Sequence, residues 1–229
     1  MLQHYWNKMK AFADAKKISL SLIVLLLVFA VCLMILYAVA DTVFEDQNTF
    51  FDEKVFTLIK PYINPVNTNI FKTITFFGSE NFLLLGNILL VVYHLVLTKD
   101  KHNAWKIVAI AVSSVMILKF LKNTLQRQRP LQSLIARAHD YSFPSGHTFS
   151  SVVFFGMLIY TIHQNSRYPV IKNIATCLLI VLTLAIGFSR IYLRMHYASD
   201  VIAGFCIGII WLLLAYVLLI KLNIFNAVK

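Results

Sequence analysis

Length, composition and charge restrict this chain to one class of protein. It has 229 residues, of which 59% are hydrophobic and 14% charged, and its mean hydropathy is +0.73. A soluble domain carries about a quarter charged residues, so an ordinary soluble fold is excluded and a membrane protein of one domain, residues 1–229, is predicted. The net charge of +11 does not indicate nucleic acid, because the basic residues stand at the ends of apolar runs. Anionic lipid head groups and phosphate substrates are the expected partners.

Six apolar runs match the ~20 mostly apolar residues that a transmembrane helix needs. They are residues 18–40, 81–97, 105–121, 145–162, 174–188 and 201–220. The first run is longer than the ~7–15 residues of a signal-peptide core, which favours a retained anchor over a cleaved leader. The predicted fold is therefore all-α, a six-transmembrane helical bundle.

The loop after the first run contains an amphipathic segment. Val55, Leu58, Ile59 and Tyr62 recur at helical spacing before Pro65 interrupts the pattern. This spacing predicts a short interfacial helix in the first outer loop. Packing against the bundle and guiding substrate are both compatible with it.

The loop charges predict the orientation of the bundle. Basic residues exceed acidic ones in the amino-terminal arm, in the second-to-third and fourth-to-fifth loops and in the tail, which should face the cytoplasm. The first-to-second loop is acidic, as expected outside. Seven cations nevertheless fall at the outer face: Lys119, Lys122, Arg127, Arg129, Arg137, Arg190 and Arg194. Binding an anion is the simplest reason for them.

The fourth apolar run opens with Pro144-Ser145-Gly146-His147. Ser145 suits a helix N-cap, and Gly146 would let an anion approach the backbone N–H groups of the helix start. Taken alone, the segment fits an ordinary capped helix with a chance histidine equally well.

Lys122 and Arg129 bracket the exit of the third run. Their seven-residue separation would place both on one helix face if the helix continued, although Pro130 indicates that regular helix stops near Arg129. Arg offers a planar fork for two phosphate oxygens, and Lys a mobile charge. A collar of cations snorkelling to the interface is the alternative, and it is preferred for Lys119 and Arg127.

Ser189 and Arg190 close the fifth run, while His196 and Asp200 precede the sixth. A spacing of four residues lets one helical turn bring His196 beside Asp200. A carboxylate on one imidazole nitrogen leaves the other nitrogen basic and directed outward, as a nucleophilic histidine requires.

Several further polar residues lie between or near these motifs. For Arg137, His139 and Asp140 an exposed polar loop is preferred to a role at the site, and Arg194 is a candidate for binding a second phosphate or head group. Gly204 and Gly208 form a GxxxG pattern that permits close helix approach, inside the bundle or between two copies.

These motifs resemble those of the type 2 phosphatidic acid phosphatase family, which is related to acid phosphatases and vanadium haloperoxidases. The family pattern is Lys, six residues, Arg-Pro; then Pro-Ser-Gly-His; then Ser-Arg, five residues, His, three residues, Asp. Every position of the pattern is matched between Lys122 and Asp200. The predicted spans extend the resemblance over most of the chain.

The resemblance implies a membrane lipid phosphatase that forms a phosphohistidine. His196 would be the nucleophile, Asp200 would orient it, and His147 would protonate the leaving group and then activate water. The groups holding the phosphoryl oxygens would be Lys122, Arg129, Arg190, Ser145 and Gly146. No metal and no cofactor are expected, because few acids lie near the motifs and three cations would replace metal ions.

The motifs recognise phosphate and do not identify the lipid. Phosphatidate, phosphatidylglycerol phosphate, polyprenyl diphosphate and lipid A phosphates all fit. A bacterial inner membrane, with the site facing the periplasm, suits the short loops. A lipid phosphotransferase using the same pocket, and a non-enzymatic lipid-binding or transport protein, remain as alternatives.

Overall fold

The computed structural model describes residues 2–136 and 140–221, and within them every regular element is helical. The eight α-helices, labelled in chain order, are α1 Leu2–Ala40, α2 Phe50–Ile59, α3 Pro65–Phe76, α4 Glu80–Val92, α5 Lys101–Leu125, α6 Gly146–Asn165, α7 Pro169–Tyr192 and α8 Ala198–Ala215. Single wider turns extend three of them: Asp41–Glu45, Tyr93–Leu97 and Tyr216–Lys221. The predicted all-α class is confirmed.

Five segments of the described chain are long and apolar enough to cross a membrane. They are Leu22–Glu45, Pro65–Leu97, Lys101–Leu125, Pro169–Tyr192 and Ala198–Leu218. The run predicted at 145–162 does form a helix, α6, but it is not among these five. It begins with the polar motif, and much of its length is buried by its neighbours. Apolar helices of this length support an integral membrane protein.

Helix α6 lies at the centre of the bundle and packs against α4, α5, α7 and α8, while α1 packs on α8 and α3 on α7. Phe149 and Val153 of α6 join a core shared with Leu90, Ile107 and Ala215. Because successive helices run in opposite directions, the end of α5, the start of α6, the end of α7 and the start of α8 meet at one end of the bundle.

The amphipathic loop segment forms α2, followed by one tight turn at Lys60–Tyr62. Pro65, expected to interrupt it, is the first residue of α3, where a proline lacking its N–H costs no intrahelical bond. Asn64 caps α3 by accepting a hydrogen bond from the Asn67 N–H at 2.8 Å. Helix α2 packs against α8 and α7 beside the end of the bundle that carries the motifs.

The GxxxG pattern brings α8 against α6. A Cβ atom at Gly204 would stand 3.0 Å from the Ser145 carbonyl oxygen, and one at Gly208 would stand 2.8 Å from Val152 Cβ. Both positions therefore need glycine for close approach inside the bundle. This contact fixes the start of α6 against the start of α8.

Candidate active site

His196 stands in the turn between α7 and α8 and is 1% exposed. Its Nε2 atom lies 3.1 Å from Arg129 Nη1, and its Nδ1 atom lies 3.6 Å from Asp200 Oδ2. Burial lowers the pKa of His196 to about 4; Asp200 opposes the shift, and the nearby charges of Arg129 and Arg190 reinforce it. The imidazole is therefore neutral at physiological pH.

Asp200 lies in the first turn of α8, so its pairing with His196 does not follow one helical turn as predicted. The helix begins only at Ala198, and the Asp200 carboxylate folds back over the helix start to accept the Tyr197 N–H at 2.9 Å. Ser142 completes the pairing: its Oγ donates to Asp200 Oδ2 at 2.5 Å and stands 3.3 Å from His196 Nδ1. Asp200 is fully buried.

Arg127 is not the snorkelling surface cation that was preferred from sequence. Its side chain is 11% exposed, and its Nη1 donates to Asp200 Oδ1 at 2.5 Å. Its Nη2 donates to Asp52 Oδ2 of α2 at 2.8 Å, and the guanidinium stacks 4.2 Å from the Tyr197 ring. The two carboxylates outweigh the effect of burial and raise the pKa of Arg127. Arg127 thus binds Oδ1 of Asp200, the carboxylate oxygen that does not face His196.

Asp52 closes this network from α2. Its Oδ1 accepts the Ser199 N–H at 2.9 Å, and its Oδ2 accepts the Ser199 hydroxyl at 2.6 Å. Asp52 is 2% exposed. These hydrogen bonds join α2 to the start of α8, next to Asp200.

The helix α5 ends before Arg129, so Lys122 and Arg129 do not share one helix face. Gln126 ends α5 in a left-handed conformation at φ 45°, and its N–H donates a hydrogen bond to the Lys122 carbonyl. Lys122 stays in the last helical turn, while Arg129 reaches His196 from the following loop. Both cations are buried, at 8% and 6% exposed.

Asp140 was expected in an exposed polar loop, and its side chain is indeed half exposed, but it also contacts both cations. Its Oδ2 lies 2.8 Å from Lys122 Nζ, and its Oδ1 lies 2.6 Å from Arg129 Nη2. Burial alone would raise the pKa of Asp140, but Lys122 and Arg129 outweigh it and hold the pKa below its usual value. Asp140 is an anion bound to the two cations of the first motif.

Arg190 approaches from the last turns of α7 and is 4% exposed. Its Nη1 donates to Thr75 Oγ1 of α3 at 2.9 Å. Among the buried polar atoms that the structure describes, Arg190 Nε is one of four without a hydrogen-bond partner. A buried donor left unpaired is costly unless a ligand satisfies it, which makes this atom a candidate contact for an anion.

His147 and Gly146 are the partly exposed members of the second motif; Pro144 and Ser145 are buried. His147 interacts electrostatically with Arg190, His196 and Arg129, so both imidazoles lie at the same end of the bundle.

Ser145 occupies the predicted N-cap position, but its side chain makes no hydrogen bond to the helix backbone. Its Oγ accepts from Thr148 Oγ1 at 2.9 Å, and its N–H donates to the Asp200 carbonyl at 3.0 Å. A Cβ atom at Gly146 would stand 3.7 Å from Lys122 Cε, which brings the helix start beside the first motif.

Other polar residues named from the sequence lie apart from this cluster. Arg194 donates to Gln132 at 2.7 Å and lies over the Phe56 ring, 5.3 Å from its centre. Arg137 and His139 fall outside the described residues. Within residues 2–136 and 140–221, no three His, Cys, Asp or Glu side chains are grouped as metal ligands would be.

Sequence reasoning missed Ser142, Asp52 and Thr75 as parts of the site. Ser142 lies two residues before the second motif, and this proximity could have indicated that it belongs to the site. Asp52 and Thr75 carried no such signal, because their partners Arg127 and Arg190 are 75 and 115 residues away in the chain.

Comparisons with known proteins identify related sequences. A family model described as the PAP2 superfamily matches residues 103–224. Phosphatidylglycerophosphatase B of Bacillus subtilis is 24% identical over 152 residues, covering 66% of this chain and 72% of the relative.

Two crystal structures share the fold. One is a transmembrane PAP2 type phosphatidylglycerolphosphate phosphatase from Bacillus subtilis, with a TM-score of 0.72, 20% identity and coverage of 90% of this chain and 97% of the other. The second is LpxE of Aquifex aeolicus, with a TM-score of 0.54, 26% identity and coverage of 71% and 92%.

Proposed function

Because this chain belongs to the PAP2 superfamily and is a hydrolase, we propose that it is a membrane-embedded lipid phosphatase acting through a phosphohistidine. The observation that carries the proposal is the geometry around His196. One imidazole nitrogen faces Arg129 at 3.1 Å, and the other faces a buried Ser142–Asp200 pair. A neutral imidazole held in this way can attack phosphorus beside a fixed positive charge.

The first step forms a bond from His196 Nε2 to phosphorus while the bond from phosphorus to the leaving oxygen breaks. The protonated form of His147 donates a proton to that oxygen and becomes neutral, and Asp200 stabilises the positive charge that develops on His196. In the second step His147 accepts a proton from water, the water oxygen attacks phosphorus, and the bond to Nε2 breaks. Inorganic phosphate is released, and neutral His196 and protonated His147 are regenerated.

Lys122, Arg129 and Arg190 hold the phosphoryl oxygens in this proposal. Phosphoryl transfer depends mainly on positioning and on stabilising negative charge, which three buried cations supply in a site of low dielectric. Gly146 and the N–H groups at the start of α6 add a partial positive charge. Ser145 supports that start through Thr148 and Asp200. The reaction proposed requires no metal ion.

The chain forms one domain with six spans, in which α6 is the sixth membrane-crossing helix in addition to the five apolar segments. An even number of spans places both termini on the same side of the membrane, and the basic residues of the loops place that side in the cytoplasm. The motif-bearing ends of α5, α6, α7 and α8 then lie outside. Helix α2 then lies in the outer interface. A bacterial inner membrane with a periplasmic site agrees with this arrangement.

The substrate is an anionic lipid carrying a terminal phosphomonoester or diphosphate. The relative named phosphatidylglycerophosphatase B supports phosphatidylglycerol phosphate as the first compound to test. Phosphatidate, polyprenyl diphosphate and lipid A phosphates share the same terminal group and complete the panel.

The test is phosphate release from this panel by purified protein in detergent, with and without EDTA. We expect release from at least one lipid, insensitive to EDTA, and its loss in a folded His196→Ala variant. Release that strictly requires Mg²⁺ would contradict the metal-free reaction, and full activity in His196→Ala would contradict the assigned nucleophile. Transfer of phosphate to an added lipid instead of water would indicate a phosphotransferase.

A further inference from the structure

We propose that Asp140 occupies the phosphate-binding cations of the unliganded protein and must leave them before a phosphoryl group binds, so that Asp140 sets the affinity of the site for phosphate. The proposal rests on the proposed function, because it takes Lys122 and Arg129 as the groups that hold the phosphoryl oxygens.

The donors of Lys122 and Arg129 already face protein acceptors. Lys122 Nζ contacts Asp140 Oδ2 at 2.8 Å and also donates to the Tyr141 carbonyl. Arg129 Nη2 contacts Asp140 Oδ1 at 2.6 Å, and Arg129 Nε donates to the Asp140 carbonyl at 2.9 Å. Arg129 Nη1 donates to the Met195 carbonyl at 2.7 Å and lies 3.1 Å from His196 Nε2. A phosphoryl oxygen gains these donors by replacing an acceptor.

Asp140 is the acceptor best suited to leave. Its two carboxylate oxygens each bind one cation, which is the arrangement that two oxygens of a phosphoryl group would adopt. Its side chain is 51% exposed, whereas those of Lys122 and Arg129 are 10% and 5% exposed. Asp140 can therefore recover hydration when it leaves, while the cations stay buried and require another anion.

The two buried acids at this end are held differently. Asp200 and Asp52 are 0% and 2% exposed. Asp200 accepts hydrogen bonds from Tyr197, Ser142 and Arg127, and Asp52 accepts them from Ser199 and Arg127. Asp140 instead lies in the loop between α5 and α6. In the empty site it compensates two buried charges, and after the reaction it competes with inorganic phosphate and promotes product release.

The experiment measures the binding of inorganic phosphate by calorimetry, together with its inhibition of lipid phosphate hydrolysis. The informative variant is Asp140→Asn, which keeps the shape and removes the charge, with Asp140→Ser as a second neutral variant. Asp140→Glu retains the competing charge. Asp46→Asn removes an equal charge from an exposed residue of the outer loop and is the matched control. Melting temperatures identify the variants that remain folded.

We expect the dissociation constant and inhibition constant of phosphate to fall by about tenfold or more in the neutral variants, because the competing state is removed. The Asp140→Glu and Asp46→Asn variants should stay close to wild type. Unchanged or weaker phosphate binding in both neutral variants would overturn the inference and make Asp140 a support for the cations. If wild type binds no phosphate and hydrolyses no lipid phosphate, the proposed function fails as well.

Discussion

His196 illustrates how burial controls the protonation of one residue. A pKa of about 4 means that the folded protein takes up this proton at a lower pH than an unfolded chain, whose histidine titrates near 6.5. The free energy of unfolding should therefore fall as the pH falls from about 6.5 toward about 4. Above pH 6.5, His196 is neutral in both the folded and the unfolded protein and causes no loss of stability. The same shift keeps the proposed nucleophile neutral at physiological pH.

Histidine-selective ¹⁵N NMR on the protein in detergent tests this shift. The ring signals of His196, assigned by their loss in a His196→Gln variant, should stay those of a neutral imidazole from pH 8 down to about pH 5. The nearby charges of Arg129 and Arg190 disfavour a positive charge on the ring. Titration near pH 6.5 would contradict the described burial.

Arg127 is expected to act on turnover through Asp200. An Arg127→Gln change removes a charge-assisted hydrogen bond worth about 1.5–3 kcal/mol, which corresponds to about a 10- to 150-fold fall in kcat. KM should change little, because Arg127 contacts Asp200 and Asp52 and is not among the groups proposed to hold phosphate.

Lys119→Gln is the matched control for Arg127, since Lys119 is exposed and was assigned to the same collar from sequence. Steady-state kinetics on a lipid phosphate should show no effect of this change, and Arg127→Lys should recover part of the lost kcat. Equal effects at positions 119 and 127 would mean that Arg127 acts only as a surface cation.

At the level of elements, the ends of helices carry the chemistry. Apolar runs predicted the helices well, but most of them extend beyond those runs: α5 continues to Leu125 and α7 to Tyr192, carrying Lys122 and Arg190 in their last turns. A hydropathy criterion averages over a window of residues, so it does not locate the end of a helix whose last turns carry charged side chains.

The motif spacing identified most residues of the candidate site but not their geometry. One helical turn was expected to pair His196 with Asp200, and a continuing helix would have placed Lys122 and Arg129 on one face, yet Arg129 and His196 lie in loops. The contacts of Arg127 with Asp52 and of Arg190 with Thr75 join residues far apart in the chain. Such long-range contacts cannot be predicted from the local pattern of a single sequence. Local periodicity therefore predicts elements, while packing decides their contacts.

Gly204 is the element-scale test of this packing. In Gly204→Ala the new Cβ would meet the Ser145 carbonyl at 3.0 Å, and backbone atoms cannot move as easily as a side chain. We expect a loss of about 1–3 kcal/mol in stability. Thermal melting in detergent would show the loss, and phosphatase activity should fall with it because the start of α6 shifts.

Gly156→Ala is the control for Gly204, since its Cβ would meet only the tip of the Leu212 side chain, which can rotate away. Its melting temperature and activity should remain closer to wild type. A Gly204→Ala variant as stable and active as Gly156→Ala would contradict the close contact between α6 and α8.

For the whole molecule, the orientation in the membrane is the main expectation. Single cysteines in a background without Cys32, Cys177 and Cys206 can report it. Asp46→Cys, in the loop before α2, should react with an impermeant maleimide added outside spheroplasts. Asn165→Cys, at the other end of the bundle, should react only after the membrane is opened. The reverse pattern would place the candidate site in the cytoplasm.

The central claim is that His196 carries the phosphoryl group during turnover. Rapid alkaline quenching of wild-type protein with a ³²P-labelled lipid phosphate, followed by peptide mass spectrometry, measures this directly, because phosphohistidine survives base. We expect phosphate on Nε2 of His196 in wild type and no label in His196→Gln. Turnover without a labelled histidine, or a label on any other residue, would contradict the account.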